Sequence, residues 1–563
     1  MEWLQQNFTK YPEMAVFLAL GIGYWIGNPK IRGFSLGGAT GSLLAGIVIG
    51  AFFKVPVTSM AKSVVFLLFM FAIGYSVGPQ FFKTMKGDGW RFAVLGAFVP
   101  VVGLIATYSV ARVLHLDAGF AGGLVSGALT QSAAMGTASD AIQSLSLPDD
   151  LKHKLIGRVA VGDALCYVFG AFGVIYSCTL LGPKLLGINL KTEAEKLEAQ
   201  YGIKRTKHGI ASAWRAFELR AYRLQTGTRA AGKTVAETEK LVANARVFVQ
   251  RIRRGQELIE ATPDTVLQAG DIVAVAGRRE VLVEILGANL QEVEDRELLD
   301  MPAASYEVFV SSKQVVGRTI EDLARDDPVR SVFLRKLTRG GLDIPIGTQT
   351  VIERGDVVTL VGPEDAVERG AKIFGQTIRP SDVTDFVVVG LAICVGALVG
   401  AVLAFKVGTV RISLGTTVGT LLAGILTGHI RSVRPLFGRV PDGAVSFMQS
   451  FGLASFVAMV GLGAGPEFLP AIKEAGIGLL IGGMFVTMIP QIAGLYFGRY
   501  VLRVNPLLLL GGMSGAQTFT AGLAAVQEKS GSPIAVLGYS GAVPVAQVLL
   551  TTWGSVIVLL MSR

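Results

Sequence analysis

The chain carries nearly the same sixteen-residue apolar segment twice, about 380 residues apart. Residues 35–50 read SLGGATGSLLAGIVIG and residues 413–428 read SLGTTVGTLLAGILTG, identical at ten of sixteen positions. Further echoes keep the same order. GYSVGPQFF (Gly74–Phe82) is answered by GLGAGPEFL (Gly461–Leu469), and GLVSGALTQS (Gly123–Ser132) by GGMSGAQTFT (Gly511–Thr520). Three matches in one order mark an internal duplication of glycine-rich membrane spans, an arrangement that places a binding site between the two halves.

Charge is distributed to match. Residues 183–383 hold 29 of the 42 acids and 30 of the 52 bases, so the chain reads as membrane half, soluble middle, membrane half. The net charge of +10 comes almost wholly from the membrane halves, near span ends. It implies contact with lipid headgroups and not with nucleic acid. Cys166, Cys178 and Cys394 fall inside apolar runs and His115, His153, His208 and His429 are scattered, so neither a disulfide framework nor a metal site is expected. No nucleophile–base set or Walker motif appears, and no cofactor is expected. The start, MEWLQQNFTKYPE, lacks the basic and small-residue features of a cleavable signal.

Apolar runs fall near 13–28, 34–53, 61–80, 92–112 and 155–182, then 384–405, 412–430, 445–465, 475–498 and 535–560. Each approaches the ~20 residues a helical span needs. Five spans per half, an odd number, make the halves inverted repeats. Segments 118–147 and 506–533 are apolar only in part and rich in Gly, Ser, Thr and Gln. They read as re-entrant hairpins, since broken backbone at membrane depth must be buried in protein or reached by water. The alternative is a sixth ordinary crossing in each half. Gly78-Pro79 and Gly465-Pro466 read as span terminators.

The middle is duplicated too. Residues 247–277 align without gaps with 332–362, identical at eleven of 31 positions, including Arg254-Gly255/Arg339-Gly340 and Gly270-Asp271/Gly355-Asp356. Upstream, GKTVAE (Gly232–Glu237) answers GRTIED (Gly317–Asp322). Alternating strands with Gly-Asp turns give a small α+β unit twice. The pattern resembles the TrkA-C (RCK C-terminal) domain, a cytoplasmic regulatory module that often binds a small ligand or ion. A dimerisation platform without ligand is the other reading. No Gly-x-Gly-x-x-Gly follows a strand, so no Rossmann partner is expected.

Five spans, two TrkA-C-like modules and five more spans, with SLGxxxGxLLAGIxxG in each half, resemble the aspartate–alanine exchanger family of bacterial membrane antiporters. The resemblance implies a ten-span inner-membrane homodimer with a cytoplasmic middle, exchanging an amino or dicarboxylic acid for a smaller acid. The rival reading is a cation channel or transporter gated by RCK-type domains. The expected fold is therefore a polytopic α-helical membrane protein with inverted 5+5 repeats and re-entrant hairpins. Its regions are a first membrane repeat (1–182), a linker (183–204), TrkA-C-like domains at 205–290 and 291–378, and a second membrane repeat (379–563).

A small anionic or zwitterionic substrate held in a membrane must be met by charge or by oriented dipoles. Mid-span cations are few, which points to half-helix N-termini in the hairpins. The candidate binding residues are Ser126, Gly127, Thr130, Gln131 and Ser132 in one hairpin. In the other they are Ser514, Gly515, Gln517, Thr518 and Thr520. Glycine admits the ligand to the backbone while hydroxyls and amides bond to it; close helix packing is the competing role for the small residues. Asp163, within VAVGDALCYVFGAFG, is the clearest acid inside a span. It could bind a coupling cation, a proton or a substrate ammonium, or form a structural pair with Arg158. Its counterpart in the second half is expected near Pro544.

Overall fold

The computed structural model describes residues 2–29, 37–84, 89–201, 217–241, 247–279, 281–324, 326, 329–339, 342–377, 383–402, 404–407, 410–413, 415–434 and 437–562. Ser35, Leu36 and Leu414 of the duplicated segment lie outside these, as do the domain boundaries expected at 204/205 and 378/379. The chain forms two compact units. One comprises Met1–Leu197, Gly340–Ile344 and Ser381–Arg563; the other comprises Glu198–Arg339 and Pro345–Pro380.

In the first unit a helix stands at each of the ten apolar runs. The first half contributes Pro12–Gly27, Gly38–Phe53, Ser59–Thr84, Trp90–Val113 and Asp149–Tyr176. The second contributes Phe386–Val402, Gly415–Val433, Asp442–Ala464, Phe468–Tyr496, which is broken at Gly476 by a non-helical backbone (φ 57°), and Val536–Met561. Among the described residues six helical stretches are long and apolar enough to cross a membrane by themselves. Pro79 closes the apolar span Ser59–Pro79, while the helical backbone runs on to Thr84, because the carbonyl that proline leaves free costs little near a helix end. Gly465–Glu467 instead form a single 3-10 turn leading into the next helix.

Glycine contacts reveal the symmetry. Helices Gly38–Phe53 and Asp442–Ala464 run parallel. A Cβ on Gly46 would meet the Ala458 carbonyl at 2.5 Å, and one on Gly50 the Leu462 carbonyl at 2.1 Å. The duplicate repeats this relation. Gly424 sits on Phe71 and Gly428 on Tyr75, so Gly415–Val433 runs parallel to Ser59–Thr84. Yet Ser59–Thr84 and Asp442–Ala464 are antiparallel, since Gln449 reaches Ala72 and Ser76 while Gly452 meets Val65 and Phe69. It follows that Gly38–Phe53 points opposite to its own duplicate Gly415–Val433. The repeats are inverted, and each inserts its glycine face into the other's third span. Small residues permit the close approach that replaces hydrophobic driving force between helices in lipid.

The second unit holds two antiparallel sheets. In the first the strand order is Glu257–Glu260, Val247–Arg254, Ile272–Arg278, Phe217–Arg223, Gln291–Val293. The second pairs Gly375–Thr377 with Ala303–Val310, then Val357–Pro363, then Phe333–Arg339. The duplicated sequence signature has one physical meaning in both. Arg254 grips Asp271 through two bonds of 3.0 and 2.9 Å and the Val266 carbonyl at 2.8 Å. Arg339 does the same to Asp356 (2.8 and 2.8 Å) and Val351 (2.9 Å). Thr234 and Thr319, from the Gly-x-Thr turns, cap the short helices through Glu237 N and Asp322 N.

Candidate substrate-binding site

Both Gly/Ser/Thr-rich segments are broken helices. The first is Ala118–Ala128 followed by Ala133–Ser144, the second Pro506–Ala516 followed by Thr520–Ser530. The chain reverses at each break. Gly122 lies against Ala138, a Cβ–Cβ approach of 3.0 Å were Gly122 an alanine, and Gly522 lies against the Ser514 hydroxyl. The half-helices thus lie side by side, as re-entrant hairpins require.

The breaks are built identically. Thr130 N donates to Gly127 O at 3.0 Å and Gln131 N to Ser126 O at 2.8 Å. In the second hairpin Thr518 N donates to Gly515 O and Phe519 N to Ser514 O, both at 2.9 Å. This is the Schellman arrangement that ends a helix with one left-handed residue, normally glycine. Here that residue is threonine, with φ of 56° at Thr130 and 52° at Thr518. A β-branched side chain in that region carries strain of about 1–3 kcal/mol. The same strain recurs at two corresponding positions, which makes them the leading candidates within the two hairpins. The hairpins also touch there: the Thr130 hydroxyl, 2.7 Å from the Leu129 carbonyl, reaches the Gln517 carbonyl at 2.9 Å, and Gln131 Nε2 reaches Thr518 Oγ1 at 3.4 Å.

A cavity of about 270 Å³ opens at this junction. Thr130, Gln131, Ser132 and Thr518 line it from the hairpins. Gly37–Thr40 reach it from the start of helix Gly38–Phe53, and Phe69, Ile73 and Leu453 add an apolar wall. Tyr167 and Gln547 complete it, and none of the lining side chains carries a charge. The volume falls just below the ~300–1,000 Å³ of pockets for drug-sized ligands, which suits a small metabolite.

Polarity comes from helix ends. The outer N-termini of the hairpins are capped by side chains: Asp117 accepts from Phe120 N, and Asn505 from Leu507 N and Leu508 N. The inner N-termini, at Ala133 and Thr520, have no side-chain cap. Helix Gly38–Phe53 also begins at the cavity behind Gly37, a glycine at φ 80° that has no side chain to cap with. Ala134 N and Met135 N donate to the Gln131 and Ser132 carbonyls, so what these ends offer an anion is chiefly the positive end of the helix dipole.

The other candidate residues lie elsewhere. Ser126 donates to Gly123 O, and Gly127 packs on the Asp163 backbone. Ser514 contacts Cys178 Sγ at 3.5 Å, and Gly515 packs on Tyr539. The Gln517 side chain is fully buried without an amide partner, and Thr520 is exposed. Arg158 does not pair with Asp163. Five residues along a helix is well over a full turn, so the two point apart, and the guanidinium goes to Asp117 and Glu474. The counterpart of Asp163 is not at Pro544 but at Tyr539. The second hairpin has a shorter connection to its following span, which shifts the register.

The sequence reading missed Gln547, Tyr167 and Thr40 at the cavity. Only the duplicated Gly37/Gly415 could have signalled it. It also missed Asp140, a half-buried acid in the first hairpin that faces Thr417 beside the Gly415 helix start and has one carboxyl oxygen shut off from solvent. The larger depression, about 530 Å³ beside Glu218–Ala221 and Glu292–Glu294, is an open surface of the soluble unit. Its Arg220 is already engaged by Glu218 and Glu292. Among the described residues no group of three or more His, Cys, Asp or Glu could hold a metal ion.

Comparison with known proteins gives consistent matches. A family described as "predicted permease membrane region" matches residues 15–183 and 388–559, and the TrkA-C domain matches 219–287 and 305–375. An uncharacterized transporter of Bradyrhizobium diazoefficiens is 51% identical over 516 residues, 92% of this chain and 100% of its own. One of Shewanella oneidensis is 38% identical over 566 residues, covering 100% of both chains. One of Bordetella bronchiseptica is 37% identical over 568 residues, covering 99% of this chain and 98% of its own.

Proposed function

This chain belongs to the predicted-permease membrane family, whose members here are named as transporters, and from that premise we propose that it is a secondary antiporter for small carboxylates. The substrate is an amino or dicarboxylic acid of the size of aspartate, exchanged for a smaller acid such as alanine. The observation that supports this most is the pair of strained threonine breaks, which meet at a small uncharged cavity where helices Ala133–Ser144 and Gly38–Phe53 begin without side-chain caps. A carboxylate there would replace the missing caps, and because the repeats are inverted, rocking one against the other would expose the site alternately to each side. Thr130, Gln131, Ser132 and Thr518 contact the ligand, with Gln547, Tyr167 and Gly37–Thr40 opposite. Following the family resemblance, we place the protein in the bacterial inner membrane as a homodimer, the TrkA-C region cytoplasmic and serving either ligand sensing or dimerisation. A cation channel fits less well, since a cation path would be lined by carbonyls or acids, whereas two helix N-termini open onto this cavity and no acid lines it.

Counterflow in proteoliposomes with a panel of amino and dicarboxylic acids tests the reading. Labelled aspartate should leave loaded vesicles only when a suitable acid is supplied outside. Equal efflux into empty buffer would point to a uniporter or channel.

A further inference from the structure

Asp163 is wholly buried in helix Asp149–Tyr176, and neither carboxyl oxygen has a hydrogen-bond partner. It lies directly behind the first hairpin. A Cβ on Gly127 would meet the Asp163 carbonyl at 2.6 Å and its Cα at 3.0 Å. Ser126 is the side chain beside it, yet that hydroxyl donates to the Gly123 carbonyl at 3.1 Å. Tyr167, one turn further along the helix, lines the cavity. The equivalent position behind the second hairpin is filled by the neutral Tyr539. The acid is therefore not demanded by the packing of the repeat.

An ionised carboxylate in this place would have no cation and no donor but the Ser126 hydroxyl, which is turned to the Gly123 carbonyl, so its charge would be buried almost uncompensated. The titratable neighbours do not supply one. Cys166 and Tyr167, on its own helix, offer only neutral groups. Arg158 is committed to Asp117 and Glu474. Helices Ala118–Ala128 and Gly38–Phe53 contain no titratable residue. Asp140, on Ala133–Ser144, faces Thr417. On Phe468–Tyr496 the ionisable residues are Lys473, Glu474 and Tyr496, toward its ends, and on Asp442–Ala464 only Asp442, its first residue. On Thr520–Ser530, Lys529 bonds the Thr179 carbonyl and Glu528 is exposed.

We propose that Asp163 is a proton-binding site coupled to the first hairpin, so that exchange carries a proton. With Ser126–Gly127 packed against it, the carboxyl holds the proton. When the hairpin moves off and water enters, the O–H bond breaks and the proton passes to water, leaving the carboxylate solvated. Repacking on the other side requires the reverse, and no electron changes hands. A ligand at Thr130–Ser132 acts on the same hairpin, so substrate binding and protonation are linked. The coupling rests on the antiporter reading above; the proton site does not.

The test uses the purified full chain and two readouts. Infrared spectra without substrate should show a protonated-carboxyl band in the wild type that is absent from Asp163→Asn. If the two spectra are the same, Asp163 is ionised and the proposal is wrong. In proteoliposomes carrying an internal pH dye, aspartate counterflow should move protons in the wild type. The wild-type rate should change by about tenfold per pH unit where Asp163 titrates. Asp163→Asn should exchange without proton flux. Wild-type exchange without proton flux, or dependence on sodium instead of pH, sinks the coupling while leaving the antiporter intact. If no acid in the panel exchanges, the antiporter reading fails and the infrared band alone decides the proton site. Should Asp163→Asn fail to insert, Asp163→Glu, which keeps a carboxyl but moves it, replaces it. A shifted pH midpoint supports the proposal and an unchanged one refutes it.

Discussion

The Thr130 hydroxyl lies 2.9 Å from the carbonyl of Gln517, the residue before Thr518, and so joins the two inverted hairpins at their breaks. Each hairpin ends its first half-helix on a left-handed threonine, and each uses the other's break as a neighbour. The contact holds the cavity wall together and ties one repeat to the other where a ligand would sit.

Thr130→Val keeps the shape and removes that bond and a polar group from the cavity. A lost hydrogen bond to a charged ligand costs about 1.5–3 kcal/mol, or roughly tenfold or more in affinity. Thr518→Val should behave alike. Ser514→Ala, which loses only its contact to Cys178, should leave affinity within about twofold, less than the sequence alone would suggest. Binding isotherms on the three purified variants check the order.

Gly50→Ala and Gly428→Ala should each destabilise the membrane unit by about 1–3 kcal/mol. The new methyl would stand 2.1 Å from the Leu462 carbonyl in one case and 2.2 Å from the Tyr75 carbonyl in the other. Gly21→Ala, with nothing within 4 Å, is the control. Thermal melting in detergent should show two large losses and one near-neutral change; equal melting points for all three would contradict the close packing.

The two Arg–Asp staples of the soluble unit should differ in worth. Asp356 is 0% exposed and Arg339 only 12%, whereas Arg254 is 32% exposed. Arg339→Ala leaves a buried carboxylate without its partner and should cost about 3–5 kcal/mol. Arg254→Ala should cost visibly less, because water can replace the lost arginine. Hydrogen exchange of strands 247–254 and 333–339 separates the two effects.

Acid should loosen the soluble unit. Hydrogen bonds from Arg253 hold the Asp295 carboxyl below its ordinary range, and Arg318 does the same to Asp326. A carboxyl lowered in the folded state stabilises above its unfolded value, near pH ~3.9, and that help is lost as pH falls through the lower folded value. Hydrogen exchange around these pairs should therefore be flat from neutral pH down to about pH 4 and rise below it. Asp295→Asn should abolish the rise at its own site.

Topology is open to direct test. With inverted five-span repeats and a cytoplasmic middle, a cysteine introduced at Lys313 should be protected from impermeant reagents in intact cells. Cysteines near the two ends of the chain should react. Labelling at position 313 with none at the ends would reverse the orientation.

The duplication of SLGxxxGxLLAGIxxG and of Ser-Gly-Ala-x-Thr was enough to read two related membrane halves with paired hairpins, because composition and order survive in sequence. The Arg-Gly and Gly-Asp echoes likewise pointed to two similar modules, although not to the bidentate grip of Arg254 on Asp271. Ser126 and Ser514 looked like ligands only because a hydroxyl in a sequence has no direction. In the fold their carbonyls close a Schellman turn, and the left-handed backbone of Thr130 and Thr518 takes the conspicuous role. Arg158 choosing Asp117 over Asp163, and Tyr539 standing where Pro544 was expected, depend on how far a helix turns and how long a connection is. The sequence by itself determined which segments are helices and that they come in two copies, since hydrophobic periodicity and small-residue spacing are local. Only tertiary structure decided which glycine face enters which span, which threonine meets which carbonyl, and where an uncapped helix end faces a cavity, since these depend on contacts between residues hundreds of positions apart.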